Sequence, residues 1–210
     1  MIPGSLNSWQ AASPPNNSPP NNLLDSDWEM LWAPYTEGDY LEVLANIRPE
    51  DIVVEIGAGD LRLARRIAEI AQQVFAIEIQ NTLLERSLAT QPAPKNLNVI
   101  CGDASVVPYP QLITAAVLMM RHCSQFGYYA EKLKTAGCQR LITNARWRMG
   151  VEVAELQAER IAYTGYSIGY YACWCGATGF KPGPVEEITP ETEAKVNEVI
   201  DCPHCQKRNK

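Results

Sequence analysis

Glycines and carboxylates alternate in a short segment that follows an apolar run. The segment is Glu55-Ile56-Gly57-Ala58-Gly59-Asp60, and a helical pattern begins directly after it at Leu61. Glycine lets a backbone approach a ligand closely, and the first turn of a helix offers free N–H groups. A further acid, Glu78, ends the next apolar run, where a carboxylate can accept the hydroxyl groups of a ribose. These residues predict a nucleoside-containing ligand at the turn.

The residue types at this turn favour one cofactor over another. A dinucleotide site prefers a third glycine three positions after Gly59, so that helix and strand pack closely, and Arg62 occupies that position. The carboxylates of Glu55 and Asp60 would repel a pyrophosphate. The amino group and sulfonium cation of S-adenosylmethionine, in contrast, suit an acidic turn. We therefore expect S-adenosylmethionine, and an NAD-dependent oxidoreductase is the disfavoured alternative.

Four of the seven cysteines form two short pairs near the end of the chain. Cys173 and Cys175 make the first pair, and Cys202 and Cys205 make the second. Tetrahedral zinc binds four thiolates readily, and four protein ligands leave no open position for catalysis. Alternate side chains on a strand point to opposite faces, so the first pair fits a metal only if a turn intervenes. The pattern predicts a zinc-ribbon-like structural zinc site, with free thiols as the alternative and His204 as a bystander.

Apolar runs and helical patterns alternate in the middle of the chain. This succession predicts an α/β fold with a doubly wound, mostly parallel sheet built from βαβ units. Asp39, with Glu42 as its capping-box partner, is expected to begin the first helix. Strands are predicted at 52–56, 74–78, 97–100, 114–120, 141–143 and 167–174, and helices at 61–71, 82–89, 124–136 and 191–199.

Three motifs resemble the class I S-adenosylmethionine-dependent methyltransferases over roughly residues 34–148. They are the segment 54–59, Glu78, and Cys101-Gly102-Asp103-Ala104 after the third predicted strand. The resemblance implies a Rossmann-like methyltransferase fold with S-adenosylmethionine as cofactor. It places Gly57 and Gly59 at the methionine part and Glu78 at the ribose. It also places Asp103, followed by Ala104, at the adenine amino group, and Glu55 at the cofactor's amino group, directly or through water.

The organisation of the chain follows from these patterns. Residues 1–25, rich in Pro, Asn and Ser, are expected to form a disordered leader. Residues 26–165 are expected to form the cofactor-binding methyltransferase domain. Residues 166–210 would carry the late strand and the zinc-binding tail.

The methyl acceptor is less clearly indicated than the cofactor. Enzymes that methylate exocyclic amines of bases usually carry an Asn or Asp, two prolines and an aromatic residue after the fourth strand. Here that stretch is 119–124, Met-Met-Arg-His-Cys-Ser, which counts against adenine or cytosine as acceptor. The Glu-Ile-Gly-x-Gly turn nevertheless resembles ribosomal RNA dimethyltransferases, and Ala33-Pro34-Tyr35-Thr36 resembles some protein-lysine methyltransferases. An N or O nucleophile of an RNA or a protein remains open.

One histidine, His122, is expected at the carboxyl edge of the sheet beside the cofactor. A neutral imidazole there can take a proton from the nucleophile, which makes His122 the candidate catalytic base. The alternative is a hydrogen-bonded histidine at a strand end. If the chain lacks turnover altogether, it is instead a cofactor-binding module whose zinc ribbon docks a protein or RNA partner.

Charge and hydropathy limit the partners of the chain. The net charge of −6 argues against a protein that coats nucleic acid through a general positive field. Residues 121–150 carry six cations and one acid, so they form either a basic face for an anionic partner or a solvated helix face. No apolar stretch approaches the ~20 residues of a membrane span, and no signal peptide is recognised. We therefore expect a cytoplasmic transferase with no membrane partner.

Overall fold

The computed structural model of the chain describes residues 35–121, 123–146 and 150–208, with side chains up to residue 205. The predicted leader at 1–25 and the candidate base His122 lie outside the described residues. The residues from Pro34 onward form one compact unit. The domain boundary near residue 165 stays a prediction.

A six-stranded sheet forms the centre of the fold. Its strands lie in the order β3-β2-β1-β4-β5-β6; the first five are parallel and β6 is antiparallel to β5. The strands are β1 Ile52–Ile56, β2 Gln73–Glu78, β3 Leu97–Cys101, β4 Ala115–Leu118, β5 Arg140–Thr143 and β6 Glu152–Glu155. The order reverses at β1, which pairs with both β2 and β4, so the ligand crevice is expected at the carboxyl ends of these strands. The predicted fold class is confirmed.

Helices cover the sheet on both faces. They are α1 Glu37–Leu44, α2 Arg62–Ala68, α3 Asn81–Thr90 and α4 Phe126–Thr135. Alternate residues of β1 point to opposite faces, so Val53 packs in the cluster that contains α1 and α2, and Val54 packs in the cluster that contains α4. This double coverage explains why the strands are nearly continuous apolar runs.

The first helix begins earlier than its sequence suggests. Thr36 is its N-cap, and Asp39 is the third helical residue rather than the cap. The two side chains form a capping box, because Thr36 N–H donates to the Asp39 carboxylate at 2.8 Å and Asp39 N–H donates to Thr36 Oγ1 at 3.2 Å. The predicted Asp39–Glu42 capping box was wrong. Thr36–Asp39 and Asp39–Glu42 have the same three-residue spacing, so the sequence pattern fits either pair. Burial of Tyr40 and Val43 accompanies the earlier start.

A second, three-stranded sheet follows the first. It has the order β8-β7-β9, where β7 is Gly169–Cys173, β8 is Thr178–Lys181 and β9 is Val196–Val199. Two short helices belong to this part, α5 Pro190–Ala194 and α6 Pro203–Arg208. The predicted helix at 191–199 was wrong, because its second half is β9. Alternate residues of β9 are buried, and one of them is the polar Asn197, whose amide donates to Tyr170 O at 3.0 Å.

A buried ion-pair network joins the two sheets. The Arg146 side chain is 0% exposed and donates to Glu152 Oε1 at 2.9 Å and to Glu198 Oε2 at 2.9 Å. Glu152 belongs to β6 of the large sheet and Glu198 to β9 of the small one. The turn after β7 also packs against α4, and Trp174 Nε1 donates to Glu131 Oε2 at 3.1 Å. None of the described helices is both long and apolar enough to cross a membrane.

Candidate cofactor site

The turn after β1 adopts a conformation that requires its glycines. Gly57 and Gly59 have φ values of +75° and +57°, in the left-handed region that glycine enters without steric cost. The N–H groups of Gly57 and Ala58 donate to Ile77 O at 2.9 and 3.1 Å, so the turn is fastened to β2. A Cβ built at Gly57 would lie 3.2 Å from Met120 Sδ, which places the segment after β4 directly against the turn. The structure therefore brings the predicted glycine turn to the switch point of the sheet.

Glu78 connects the end of β2 to the glycine turn. Its Oε2 accepts a hydrogen bond from Gly59 N–H at 2.9 Å, and its Oε1 accepts one from Gln80 N–H at 2.9 Å. Each carboxylate oxygen can accept a second hydrogen bond. The side chain is thus fixed in one orientation and retains the capacity to accept two ribose hydroxyls.

Asp103 and Ala104 lie in the turn that follows β3. Gly102 N–H donates to Glu78 O at 2.9 Å, which holds this turn beside the end of β2. Asp103 is exposed and its Oδ1 accepts from Ser105 N–H at 2.8 Å, whereas Ala104 is buried. The arrangement sets the carboxylate of Asp103 next to the Glu78 end of the crevice.

Glu55 is a buried acid without a partner for one of its oxygens. It is 3% exposed, and Oε2 makes no hydrogen bond within the described part of the chain. Burial, and then the charges of Asp60 and Glu78, raise the pKa of Glu55 well above its ordinary value. An unsatisfied buried carboxyl is costly, and a cationic amino group placed beside it would supply the missing hydrogen bond and favour its ionised form.

The acidity of the turn is smaller than the sequence implies. Asp60 receives hydrogen bonds from Arg62, with Nε at 2.8 Å and Nη2 at 2.6 Å from Oδ2. The residue that replaces the third glycine of a dinucleotide site therefore pairs with one of the two acids. Glu55 and Glu78, in contrast, form no salt bridge with the residues that the structure describes.

The segment after β4 is held by the segment before α1. Tyr35 OH donates to Met119 O at 2.5 Å, and the Arg121 guanidinium lies 5.2 Å from the centre of the Tyr35 ring. Arg121 also lies 3.5 Å from Asp39 Oδ2. These contacts fix the backbone on the near side of position 122, the position predicted for the catalytic base.

The cations between 121 and 150 do not form an open basic face where the structure describes them. Lys132 Nζ donates to the carbonyl oxygens of residues 104, 105 and 107, and Lys134 lies over the Trp174 ring. Arg140 donates to Asp51 at 2.7 and 2.8 Å. Together with Arg121–Asp39 and the network of Arg146, these pairs use the charge internally. Arg148 lies outside the described residues.

The four cysteines of the tail converge on one point. Sγ of Cys173 lies 3.6 Å from Sγ of Cys205, and Sγ of Cys202 lies 3.7 Å from those of Cys175 and Cys205. All four sulfur atoms lie within 4.8 Å of one another. A tetrahedral zinc with Zn–S bonds of ~2.3 Å has S–S edges of ~3.8 Å, whereas a disulfide would bring the sulfurs to ~2.05 Å. The spacing fits the coordination shell of a metal and not a disulfide.

A turn provides the geometry that the Cys-x-Cys pair requires. Cys173 ends β7, and Cys175 lies in the following turn, closed by Gly176 with φ +95° and its N–H donating to Cys173 O at 2.9 Å. Cys202 precedes α6 and Cys205 lies within its first turn. A turn thus separates Cys173 from Cys175, as a shared metal site requires. His204 lies exposed between the cysteines of the second pair.

Sequence reasoning missed one buried polar residue near the crevice. Asn144 directly follows β5 and is 0% exposed, and neither polar atom of its amide has a partner in the described part of the chain. No motif surrounds it. The only signal available in the sequence was its position, since it is a polar residue at the carboxyl end of a buried parallel strand.

Comparisons with known proteins find similarity over part of the chain. Residues 42–145, just under half of the chain, match the family model described as Ribosomal RNA adenine dimethylase. The probable ribosomal RNA small subunit methyltransferase A of Methanosarcina mazei is 36% identical over 73 residues, which are 35% of this chain and 27% of that relative. The dimethyladenosine transferase of Candida glabrata is 39% identical over 62 residues, which are 28% and 20% of the two chains.

Among solved structures, a dimethyladenosine transferase from Plasmodium falciparum matches with 21% identity and a TM-score of 0.44 over 51% of this chain and 41% of that one. The chain spans about a quarter of the length of the curated relatives named above. The match to the family model covers the glycine turn and the acids at the ends of β2 and β3. Residues 42–145 are therefore similar to the ribosomal RNA adenine dimethylase family.

Proposed function

We propose that the protein is an S-adenosylmethionine-dependent methyltransferase that acts on RNA. The observation that carries the proposal is the buried Glu55 Oε2, which has no hydrogen-bond partner among the described residues. It lies beside a glycine turn whose backbone is held in place by Glu78. This combination suits a ligand with a cationic amino group at one end and a ribose further along.

Each site residue has a distinct task in holding the cofactor. Gly57 and Gly59 let the backbone approach the methionine part, and Glu55 receives its amino group. Glu78 accepts the ribose hydroxyls, while Asp103 receives the adenine amino group beside the buried Ala104. When bound, S-adenosylmethionine supplies an electrophilic methyl group, and the acceptor atom must be aligned with it. The protein contributes the alignment and excludes water.

The relatives support RNA as the acceptor. Their names assign them to ribosomal RNA or to adenosine dimethylation, and the matched segment contains the cofactor turn. The stretch after β4 lacks the Asn or Asp and the prolines expected for a base amine. An amine acceptor would therefore need polar contacts from another strand end. His122 remains the candidate base, and His122→Ala should suppress turnover without changing the affinity for S-adenosylhomocysteine.

Methyl transfer can be tested directly. Purified protein, S-adenosylmethionine labelled on its methyl group and a small-subunit ribosomal RNA transcript are incubated, with a ribosomal protein extract as the competing acceptor. We expect label in the RNA, as N6-methylated adenosine after nuclease digestion, and none with Glu78→Ala. Label in protein alone would contradict the RNA acceptor. Binding of the cofactor without transfer to either acceptor would favour the second candidate below.

The second candidate function is a cofactor-binding module without turnover. It is favoured by one observation, namely that the stretch after β4 is Met119–Ser124 rather than a motif for a reacting amine. In this case the small sheet would dock a protein or RNA partner. The transfer assay separates the two candidates, since only the enzyme consumes S-adenosylmethionine.

We also propose that the four tail cysteines hold a structural zinc ion. Support for zinc comes from the spacing of the four sulfur atoms, which matches a tetrahedron of thiolates. Four protein ligands leave no open position for a substrate, so the ion would be structural. A reducing compartment keeps thiols available for metal, so the cysteine cluster supports a cytoplasmic location. The purified protein should contain one zinc ion per chain. Cys205→Ser should lose it, whereas Cys101→Ser, a change at an exposed cysteine outside the cluster, should retain it. Equal metal content in both variants would contradict the site.

A further inference from the structure

Asn144 is buried directly after β5, and its amide makes no well-aligned hydrogen bond within the described part of the chain. The residue is 0% exposed, and neither Oδ1 nor Nδ2 has a hydrogen-bond partner in the described part of the chain. A buried polar group without a partner carries a desolvation cost, and native proteins satisfy the great majority of such groups. Two unsatisfied atoms on one buried amide therefore call for a ligand or another explanation.

The register of the sheet places Asn144 beside the cofactor turn. Ile142 on β5 pairs with Val117 on β4, and Val117 pairs with Glu55 on β1. Asn144 lies two residues after Ile142, just past the end of β5, and therefore on the same face of the sheet. Gly57 lies two residues after Glu55, so the next row across the strands runs from Asn144 towards Gly57. With strands ~4.8 Å apart, the amide lies about two strand spacings, ~10 Å, from the turn that holds the methionine part.

A second polar group lies at the same place. Burial raises the pKa of the Tyr35 hydroxyl, and a hydrogen-bonding interaction with the Asn144 side chain opposes that shift, so the amide faces Tyr35. Tyr35 in turn donates to Met119 O at the end of β4. The neighbouring end of β5 is fixed as well, because Thr143 Oγ1 donates to Leu118 O at 2.7 Å. The amide is consequently held on a rigid part of the sheet between the cofactor turn and β6.

We propose that Asn144 binds the acceptor base of the methyltransferase. The proposal rests on the RNA acceptor argued above and names its chemistry as an adenine edge. That edge presents an amino donor next to a ring-nitrogen acceptor, and the asparagine amide is complementary to this pair. Asn144 Oδ1 accepts from the amino group and Nδ2 donates to the ring nitrogen. The polar contact that is missing after β4 is thus supplied from the end of β5.

The substitution Asn144→Leu tests this role because leucine keeps the side-chain shape and removes both polar atoms. We expect kcat/KM for the RNA transcript to fall about thirtyfold or more, the effect of two ordinary hydrogen bonds. The affinity for S-adenosylhomocysteine should stay within twofold. The Tm should rise or stay equal, because an unsatisfied buried amide has been removed. A residue with a structural role alone would lose Tm and cofactor affinity together.

Asn197→Leu is the matched control. Asn197 is also a buried asparagine, but its amide donates to Tyr170 O in the small sheet. Its replacement should lower the Tm and leave kcat/KM within twofold. If Asn144→Leu behaves like Asn197→Leu, or if its kcat/KM stays within twofold of wild type, the assignment of Asn144 is overturned.

A second measurement does not depend on turnover. With S-adenosylhomocysteine bound, adenosine should shift the ¹⁵N side-chain amide resonances of Asn144, identified by their absence in Asn144→Leu, and inosine, which lacks the amino group, should not. Unshifted resonances at saturating adenosine would refute the proposal even if the wild type methylates RNA. If the shift occurs but no RNA is methylated, the base-binding role stands and the proposed methyltransferase activity fails.

Discussion

Replacing the buried acid Glu55 by glutamine should stabilise the ligand-free protein. The raised pKa of Glu55 means that the native state retains a proton that the unfolded chain releases above pH 4.5. Over that range the free energy of unfolding decreases as the pH rises. At pH 7 the native state must either keep this carboxyl protonated or bury its charge, and both cost stability. Glutamine has no proton to lose, so it removes this cost.

The gain in stability has a counterpart in binding. For a domain of this size, 1 kcal/mol corresponds to about 2–4 °C, so Glu55→Gln should raise the Tm by several °C at pH 7 and by much less at pH 5. Loss of the charged partner for the cofactor's amino group should weaken S-adenosylhomocysteine binding about 10- to 100-fold. The assay is thermal unfolding between pH 5 and 8, with and without that ligand. The exposed acid Glu42 provides the control variant, Glu42→Gln.

One outcome would refute this reasoning about Glu55. If Glu55→Gln has an unchanged or lower Tm at pH 7 and the same pH slope as wild type, the carboxyl is not an unsatisfied group in the ligand-free state. An unchanged affinity for S-adenosylhomocysteine would remove Glu55 from the cofactor site.

The remaining predictions concern the two ends of the fold. Asp51→Asn should cost about 3–5 kcal/mol in urea unfolding, because it leaves the buried Arg140 without a counter-charge. Burial raises the pKa of Asp51, but hydrogen bonds, chiefly from Arg140, outweigh burial and lower the pKa below 3.8. The wild type should therefore lose the stability contributed by Asp51 only as the pH falls through that range. The variant should show no such loss. Gly176→Ala should lower the Tm more than Gly137→Ala, since both have positive φ but only at Gly176 would a Cβ meet Phe126, at 3.1 Å; equal losses would contradict the packing of the cysteine turn on α4. Removing metal with a strong chelator should lower the Tm and expose 169–205 to proteolysis, and an unaltered digestion pattern would argue against a structural metal.

The parts of the fold that the sequence could predict are those with strong local signals. The strands β1 to β5 are short apolar runs, and the turn after β1 needs glycines whose φ is positive in the structure. The cysteine cluster was predictable because the ligand types and pair spacings are specific for a metal. In each case the chemistry of a few neighbouring residues sufficed.

The parts that could not be predicted depend on residues far apart in the chain. Arg146 meets Glu198 across 52 positions, and Arg140 meets Asp51 across 89. From the sequence these cations could form either a basic face or a solvated helix face, whereas tertiary contacts use Arg140 and Arg146 as buried partners. The amide of Asn144 gave no signal either, because its burial results from the strands around it. Sequence counts of charge therefore did not predict which charges reach solvent.

The most direct test of the cofactor site is a calorimetric titration of the purified protein. S-adenosylhomocysteine should bind with one site per chain, and NADH should not bind. Glu78→Gln, which replaces one of the two accepting oxygens by an NH2 group and so removes one backbone hydrogen bond and the charge, should abolish measurable binding. Binding of NADH in place of S-adenosylhomocysteine, or unchanged binding in Glu78→Gln, would contradict the assignment of the crevice to S-adenosylmethionine.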